Sequence, residues 1–168
     1  MRAKALLFLL GCWVSLVQAA DPVLLQVGGM VQHKLMLTAQ DLRALPQKDY
    51  TEKRSVIVDG REVTQTVLMR GIPLRALLDQ AGLASDRHSV RRAYVLLTAQ
   101  DGYQTVFSWG ELYNTRLGDD VLVLLHHGDE DLLARDGFPA LRSLQDVRPG
   151  PRHVRWLKSV EVLLATSR

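Results

Sequence analysis

Apolar residues in this chain occur in short runs, and their spacing changes repeatedly between alternation and helical periodicity. Short runs rich in Val, Leu and Ile are typical of strands. We therefore predict strands at residues 23–27, 34–37, 55–58, 63–69, 92–99, 103–108, 121–125, 141–147 and 160–164. The run at 121–125 is apolar throughout, which predicts a strand buried on both faces. Asp59-Gly60 and Asp101-Gly102 lie between neighbouring runs and predict two hairpin turns.

Helices are predicted where apolar residues recur every three or four positions, or where a capping residue precedes a short segment. Leu74, Leu77, Leu78 and Ala81 follow the helical spacing, and Gly82 ends that helix. Two short helices are predicted behind the caps Thr38 and Ser108, and a turn or short helix near the end of the chain, at 39–45, 109–113 and 153–158. Many short strands with inserted helices predict an α+β domain built on a single mixed sheet.

The first residues of the chain have the three parts of a secretory signal. Arg2 and Lys4 form the positive end, an apolar run follows at 5–17, and small residues come after it. That run is shorter than the roughly 20 residues that a membrane-spanning helix needs. We therefore expect export to the periplasm, with a signal peptide at 1–20 and a mature domain at 21–168.

Cys12, the only cysteine of the chain, lies inside this leader. The mature domain is therefore expected to form no disulfide, to offer no thiolate to a metal and to use no cysteine nucleophile. Leu9-Leu10-Gly11-Cys12 also resembles a lipoprotein box, so a lipid-modified Cys12 is the alternative. The apolar sequence that continues after Cys12 favours the cleaved signal peptide.

Basic residues concentrate near the end of the chain, although the formal net charge is only +3. Within residues 142–158, Arg148, Arg152 and Arg155 accompany a loop of two prolines and a glycine. Arginine forks bind phosphate or carboxylate groups, and such a loop leaves backbone amides free to join them. Trp156 offers a face for stacking. This pattern predicts a site for a flat heterocycle with an anionic or carbonyl edge, and the alternative is a solvated basic loop with Trp156 in the core.

Two further clusters have simpler explanations than a functional site. His126-His127 and the acids at 129–131 suggest a metal site, but adjacent histidines on a strand point to opposite faces, so a polar turn explains them better. Arg91-Arg92 suggests a nucleic-acid partner, which export argues against. We therefore predict no metal site, no catalytic residue and no nucleic-acid partner.

Four segments, taken in order, resemble motifs of one protein family. Residues 37–46 (LTAQDLRALP) resemble L-T-x-x-D-L-x-x-L-P, and residues 70–78 (RGIPLRALL) resemble x-G-V-P-L-x-x-L-L. Residues 99–112 resemble an A-x-D-G-Y hairpin followed by F-s-x-x-E-L, and residues 152–162 resemble R-x-V-K-W-L-x-x-I-x-V. Together they are similar to the molybdopterin-binding domain of the sulfite-oxidase-type oxidoreductases, over about residues 23–165. The resemblance implies the fold of that domain.

The chain differs from the catalytic members at one decisive position. In those members a cysteine thiolate ligates molybdenum, and it lies between the first helix and the G-V-P-L segment. The corresponding stretch here, residues 50–70, contains no cysteine, and residues 143–146 (SLQD) replace the family's V-P-G-D. The resemblance therefore implies a small exported member that binds a pterin or molybdopterin-like ligand without molybdenum. Such proteins act as sensors for inner-membrane signalling proteins.

The resemblance also implies which residues hold the ligand. The R-x-V-K-W stretch supplies most of them, the preceding loop supplies two, and the hairpin supplies one aromatic ring. Basic groups are expected to contact ring carbonyl or phosphate oxygens, and the tryptophan is expected to stack on the ligand or to pack beneath it. The implied ligand-binding residues are Tyr103, Asp146, Arg148, Arg152, His153, Arg155 and Trp156. For Tyr103, a half-buried strand aromatic is an equally good interpretation.

Two other functions stay open. One is a molybdenum-cofactor oxidoreductase, or a subunit of one, that holds its cofactor without cysteine. The other is an interaction or assembly protein whose ancestral site is empty. The missing cysteine favours the non-catalytic pterin-binding protein over the oxidoreductase.

Overall fold

The structure is a computed structural model, and it describes residues 21–84, 86, 89–146 and 150–165. The predicted signal peptide, the lipidation site at Cys12 and the predicted ligand residue Arg148 lie outside the described residues. Among the described residues, no helix combines the length and apolar character that a membrane span requires.

Within the described residues the domain has ten strands and four α-helices, with two 3₁₀ segments at Ser89–Arg92 and Arg116–Asp120. In chain order the strands are β1 (Val23–Gly29), β2 (Leu35–Thr38), β3 (Lys48–Val58), β4 (Arg61–Pro73), β5 (Ala93–Ala99), β6 (Gln104–Ser108), β7 (Val121–His127), β8 (Glu130–Asp131), β9 (Ala140–Ser143) and β10 (Leu157–Leu164). The helices are α1 (Ala39–Ala44), α2 (Leu74–Ala81), α3 (Trp109–Asn114) and α4 (Leu132–Asp136).

The strands are divided between two five-stranded sheets. The first has the order β2-β1-β10-β5-β6, and it is mixed because β1 and β10 run parallel while the other neighbours are antiparallel. The second has the order β3-β4-β7-β8, with β9 also paired to β7, and all of its pairs are antiparallel. The predicted α+β class with short inserted helices is confirmed. The strands form two sheets instead of the single mixed sheet predicted, and the mixed pairing is confined to the first of them.

Strand β7 lies at the centre of the packing, as its apolar sequence predicts. Val121, Val123 and Leu125 face the main core, where they meet the buried side of the first sheet and helix α2. Leu122 and Leu124 face a second apolar cluster formed with residues of β4 and α4. Because successive side chains of a strand point to opposite faces, a strand covered on both sides has to be apolar at every position.

The predicted helix caps are present. Thr38 accepts a hydrogen bond from the amide of Asp41, whose carboxylate in turn accepts from the amide of Thr38. Ser108 and Glu111 form the same reciprocal arrangement at the start of α3. Each capping box satisfies two backbone amides that the first helical turn leaves without partners. These boxes allow helices of only six residues to begin at defined positions.

The hairpin of β3 and β4 is longer than the sequence predicts. The predicted turn is present, with positive φ angles of 49° at Asp59 and 73° at Gly60. Strand β3, however, pairs with β4 over its whole length, whereas β4 pairs with β7 only over Met69–Pro73. The outer part of the hairpin therefore forms a two-stranded ribbon, on which Ile57 is 79% exposed. The part of β3 that the sequence did not predict is residues 48–54, which are mostly polar and therefore lack the apolar alternation of a strand.

The end of the chain also differs from the prediction. The strand predicted at 141–147 ends at Ser143, and the turn or short helix predicted at 153–158 is a bend followed by β10 from Leu157. Val154 forms an isolated antiparallel bridge with Leu141, so the backbone there is extended. This long-range pairing, which local sequence does not reveal, excludes a helix at that position.

Candidate functional site

Two turns lie side by side at one end of the first sheet. The β5–β6 turn, which contains Asp101, meets the loop that enters β10 because Ala99 pairs with Leu157. The amide of Gln100 donates a hydrogen bond of 2.9 Å to the carbonyl oxygen of Trp156. The Tyr103 hydroxyl donates a bond of 2.6 Å to the carbonyl oxygen of Pro151. The two turns are therefore held together by both backbone and side-chain contacts.

An open groove of about 350 Å³ lies between these turns. Its lining residues are Asp101, Tyr103, Gly150, His153, Arg155 and Trp156. Four of them are residues that the family resemblance implied, drawn from two segments that are far apart in sequence. Asp101 and Gly150 were not predicted as ligand residues. In the sequence, the Asp101-Gly102 pair indicates a hairpin turn and forms part of the A-x-D-G-Y motif, but nothing in the local sequence shows that this turn meets the basic loop.

Trp156 has a strained backbone. Its φ angle is +52°, and Asp59 is the only other described non-glycine residue with a positive φ. A bulky residue in this conformation costs about 1–3 kcal/mol and persists only where the surroundings hold it, commonly at functional sites. The bond from the Gln100 amide supplies such a restraint. The guanidinium carbon of Arg155 lies 5.2 Å from the centroid of the Trp156 ring, within the range of a cation–π contact.

His153 lies between the groove and a second, smaller cavity. Half-burial lowers the pKa of its imidazole, and the positive charges of Arg142 and Arg155 lower it further. The ring is therefore neutral at pH 7, with one nitrogen as a donor and the other as an acceptor. The smaller cavity has a volume of about 40 Å³ and is lined by Glu52, Arg142, Ser143, Leu144, Asp146, Gly150, Arg152 and His153.

Arg152 and Asp146 line the small cavity instead of the groove, and they bind each other. The Arg152 Nε donates to Asp146 at 2.9 Å, and a second nitrogen donates to the same carboxylate. The remaining terminal nitrogen donates to Glu111 at 3.0 Å. These bonds raise the pKa of Arg152, most strongly the one to Asp146. The guanidinium also lies 4.9 Å from the ring centroid of Phe107. Arg152 therefore connects the basic loop that precedes β10 with Glu111 of α3 and Phe107 of β6.

A second ion pair forms another wall of this cavity. Arg142 on β9 donates two hydrogen bonds, of 3.1 and 2.9 Å, to the two carboxylate oxygens of Glu52 on β3. The Arg142 side chain is only 13% exposed, so the bidentate pair compensates a largely buried charge. Glu52 belongs to the stretch in which catalytic members of the resembled family carry their cysteine. Sequence reasoning missed this pair because its two residues lie on strands far apart in the chain.

The residues on the groove fit a flat heterocyclic ligand but not a thiolate-bound metal. The groove offers two aromatic rings, a cation, a neutral imidazole and a carboxylate, which match a ring with donor and acceptor edges. Residues 13–168 contain no cysteine. Among the described residues, no group of three or more His, Cys, Asp or Glu side chains is arranged to hold a metal ion. His126 and His127 lie on β7, paired with Asp131 and Glu130 of β8.

This architecture defines a class of protein: an α+β domain with an open groove where β5 ends and β10 begins. The chain matches the family described as the oxidoreductase molybdopterin binding domain over residues 13–168. It belongs to that family, which confirms the resemblance in the sequence motifs and implies a pterin-type cofactor.

Known proteins that are similar to this chain include an oxidoreductase of Bacillus subtilis and a sulfane dehydrogenase. A protein of Bacillus subtilis (strain 168), called uncharacterized oxidoreductase YuiH, is 26% identical over 138 residues, which are 82% of this chain and 63% of that protein. The chain therefore spans less than two thirds of this relative. The crystal structure of the sulfane dehydrogenase SoxCD from Paracoccus pantotrophus has a TM-score of 0.60 and 17% identity, over 82% of this chain and 37% of that one. This second likeness shows the fold.

Proposed function

We propose that this protein is an exported, non-catalytic pterin-binding protein. One observation carries the proposal: a chain of the molybdopterin-binding family brings Tyr103, His153, Arg155 and Trp156 onto one groove, and it has no cysteine after Cys12. The groove has the groups that a pterin ring needs, whereas a soft thiolate ligand for molybdenum is missing.

In this proposal each of these residues has a role. The pterin ring stacks on Trp156, whose strained backbone fixes the position of its ring. Arg155 and the neutral His153 donate hydrogen bonds to the carbonyl or phosphate oxygens of the ligand. Tyr103 presents its ring to the groove, because its hydroxyl is already engaged by Pro151.

Titration of the purified exported protein with pterins tests this proposal. The ligand's fluorescence is quenched when the ring stacks on an aromatic side chain, so saturable quenching with one site per chain is the expected result. Failure of every oxidised and reduced pterin to bind at millimolar concentration would overturn it.

Cell fractionation and analysis of the mature N-terminus test the export step and distinguish cleavage near Ala20 from lipid modification at Cys12.

The proposal includes an inner-membrane signalling partner that binds this protein differently when the groove holds a pterin. The physical support is the exposure of Asp101, Tyr103 and Arg155, since a ligand bound beside exposed side chains remains accessible to another protein. Cross-linking in intact cells, with and without pterin synthesis, should give a pterin-dependent adduct with a membrane protein. An adduct that forms equally in both conditions, or none at all, would contradict this part.

A second candidate is a molybdenum-cofactor oxidoreductase. Family membership favours it, as does the relative whose name contains the word oxidoreductase. Metal analysis of protein made in molybdenum-sufficient cells distinguishes the two functions. Stoichiometric molybdenum together with reduction of an electron acceptor would replace our proposal by this one.

A further inference from the structure

Strand β4 has a neighbour on both edges for only part of its length. It pairs with β7 over Met69–Pro73, and the amide of Gly128 adds a bond of 2.7 Å to the carbonyl oxygen of Leu68. Among the described strands, none pairs with residues 61–67 on this side, whereas β3 pairs with β4 on the other. Residues 61–67 therefore form an open edge of β4.

Alternate residues present their backbone groups at this open edge. The carbonyl of Leu68 points towards β7, and successive residues of a strand direct their amide and carbonyl groups to opposite edges. Thr66, Thr64 and Glu62 therefore point away from β3, as Leu68 does. Thr64 is opposite Ser55 of β3, and the backbone groups of Ser55 point to the outer edge of the ribbon for the same reason. The open edge of β4 thus offers donors and acceptors that a further strand can bind.

A cleft of about 540 Å³ lies along the open edge. Residues 65–68 of β4 form one wall, and residues 127–130 of β7, β8 and the turn between them form the other. Glu130 in this wall is bound by Arg135. The exposed carboxylate of Asp129 forms no ion pair or hydrogen bond with any residue in the described part of the chain. The cleft therefore combines an open strand edge with an unpaired negative charge.

The ribbon beside this cleft is apolar as well as uncovered. Among the described residues, eight large apolar side chains are exposed, and four of them, Ile57, Val58, Val63 and Leu68, lie on the ribbon. A two-stranded ribbon is only marginally stable in water by itself, and an open edge is a template for pairing with another chain. A third strand beside β4 would place its side chains against cross-strand neighbours such as Val63 and Leu68.

We propose that the open edge of β4 binds an extended segment of a partner protein, which joins the second sheet as a strand and places a lysine or arginine near Asp129. Backbone bonds to Glu62, Thr64 and Thr66 supply affinity, and alternate side chains of the segment supply specificity. The cation follows from charge complementarity with the unpaired Asp129. The cleft shares no residue with the ligand groove, so this inference goes beyond the proposed function and does not depend on it.

Selection from a random-peptide display library against the purified protein tests this inference. The enriched peptides should alternate apolar and polar residues over about six positions and carry a lysine or arginine, and their affinity should fall as salt is added. Hydrogen exchange with a selected peptide bound should protect the amides of Glu62, Thr64 and Thr66. A selection that yields no binding peptide, or peptides that leave these amides unprotected, overturns the inference.

A proline at the open edge tests the backbone contacts. Thr64→Pro removes an amide that faces the cleft without removing a bond between β3 and β4, and it should weaken binding of a selected peptide by about tenfold or more. Ser55→Pro is the matched control, because Ser55 lies opposite Thr64 and its amide faces the other edge of the ribbon. This control should keep the native affinity, and thermal melting shows whether both variants fold. Equal losses of affinity in the two folded variants would contradict the assignment to β4.

Asp129→Lys tests the charge without altering a strand, so it remains informative if a proline variant fails to fold. It should weaken binding of the same peptide by about three- to tenfold at low salt, since it replaces an attraction by a repulsion. Asp21→Lys, at an exposed position that does not line the cleft, should have no such effect. An Asp129→Lys protein with the native affinity overturns the proposed role of Asp129.

Sedimentation of the native protein addresses the other possible occupant of the edge. The protein should remain monomeric at the concentrations used for peptide binding. A dimer that Thr64→Pro dissociates, in a protein for which no peptide is selected, would assign the open edge to a second copy of this chain and overturn the inference.

Discussion

The amide of Gln100 donates a hydrogen bond of 2.9 Å to the carbonyl oxygen of Trp156, and this contact joins two turns that are more than fifty residues apart. It holds Trp156 in its left-handed conformation and places the β5–β6 turn against the basic loop. The candidate ligand groove exists because of this junction.

Replacing Trp156 by alanine should weaken pterin binding about ten- to a hundredfold. Stacking of a flat base on an aromatic side chain is worth about 1–3 kcal/mol by alanine substitution. Calorimetric titration measures the change, and Trp156→Phe, which keeps an aromatic face, should recover most of the affinity. An alanine variant with native affinity would show that Trp156 only packs beneath the site.

Substitutions of Arg152 and Arg155 should have different effects: the first should mainly lower the stability of the fold, and the second should mainly weaken ligand binding. Arg152→Ala removes the partner of Asp146 and Glu111, both partly shielded from solvent, and should lower the free energy of unfolding by about 1–3 kcal/mol. Arg155→Ala changes an exposed side chain and should cost less than about 0.5 kcal/mol while weakening pterin binding. Urea unfolding and ligand titration of both variants make the comparison. Equal losses of stability would contradict it.

The pKa of His153 should make the protein less stable in mild acid. Its folded-state pKa lies below the ordinary value of about 6.5, so the unfolded chain binds the proton first as the pH falls. The contribution of this neutral histidine is complete above about pH 6.5 and is lost as the pH drops towards the folded-state pKa. The free energy of unfolding should therefore fall between pH 7 and pH 5 in the native protein and fall less in His153→Gln.

A separate loss is expected at lower pH. The carboxylates of Asp120 and Asp131 have folded-state pKa values below their ordinary ones; burial opposes this shift, but their bonds to Lys48 and Arg43 and other hydrogen bonds outweigh it. Their contribution is present above about pH 4 and is lost as they become protonated. His153→Gln should leave this loss of unfolding free energy below about pH 4 unchanged, so the variant serves as an internal control of the pH experiment.

Gly71→Ala should destabilise the domain by about 1–3 kcal/mol. A Cβ atom at this position would lie 2.4 Å from the carbonyl oxygen of Val123, where β4 and β7 pair closely beside a register shift. Neither backbone can move without breaking the ladder of the second sheet. Gly28→Ala is the control, because nothing lies within 4 Å of its Cβ position. Thermal unfolding that affects both variants equally would contradict the steric explanation.

Local sequence determined the short elements of this protein. Thr38 and Ser108 begin their helices by capping boxes, the two Asp-Gly pairs form hairpin turns, and the apolar run at 121–125 is buried on both faces. Each of these features depends on residues a few positions apart, so its physical cause is contained in a short segment. The ordered motifs likewise identified the family from the sequence.

The tertiary structure decided the division into two sheets and the composition of the site. Strand pairing over long sequence separations brings Asp101 to Trp156, engages Arg152 with Asp146 and Glu111, and closes the small cavity with Arg142. Composition alone does not show whether an arginine binds a ligand or a neighbouring carboxylate. It therefore predicted a basic site, but not which of the basic residues face the groove. Only the long-range backbone pairing determines which charges face the groove and which are neutralised within the protein.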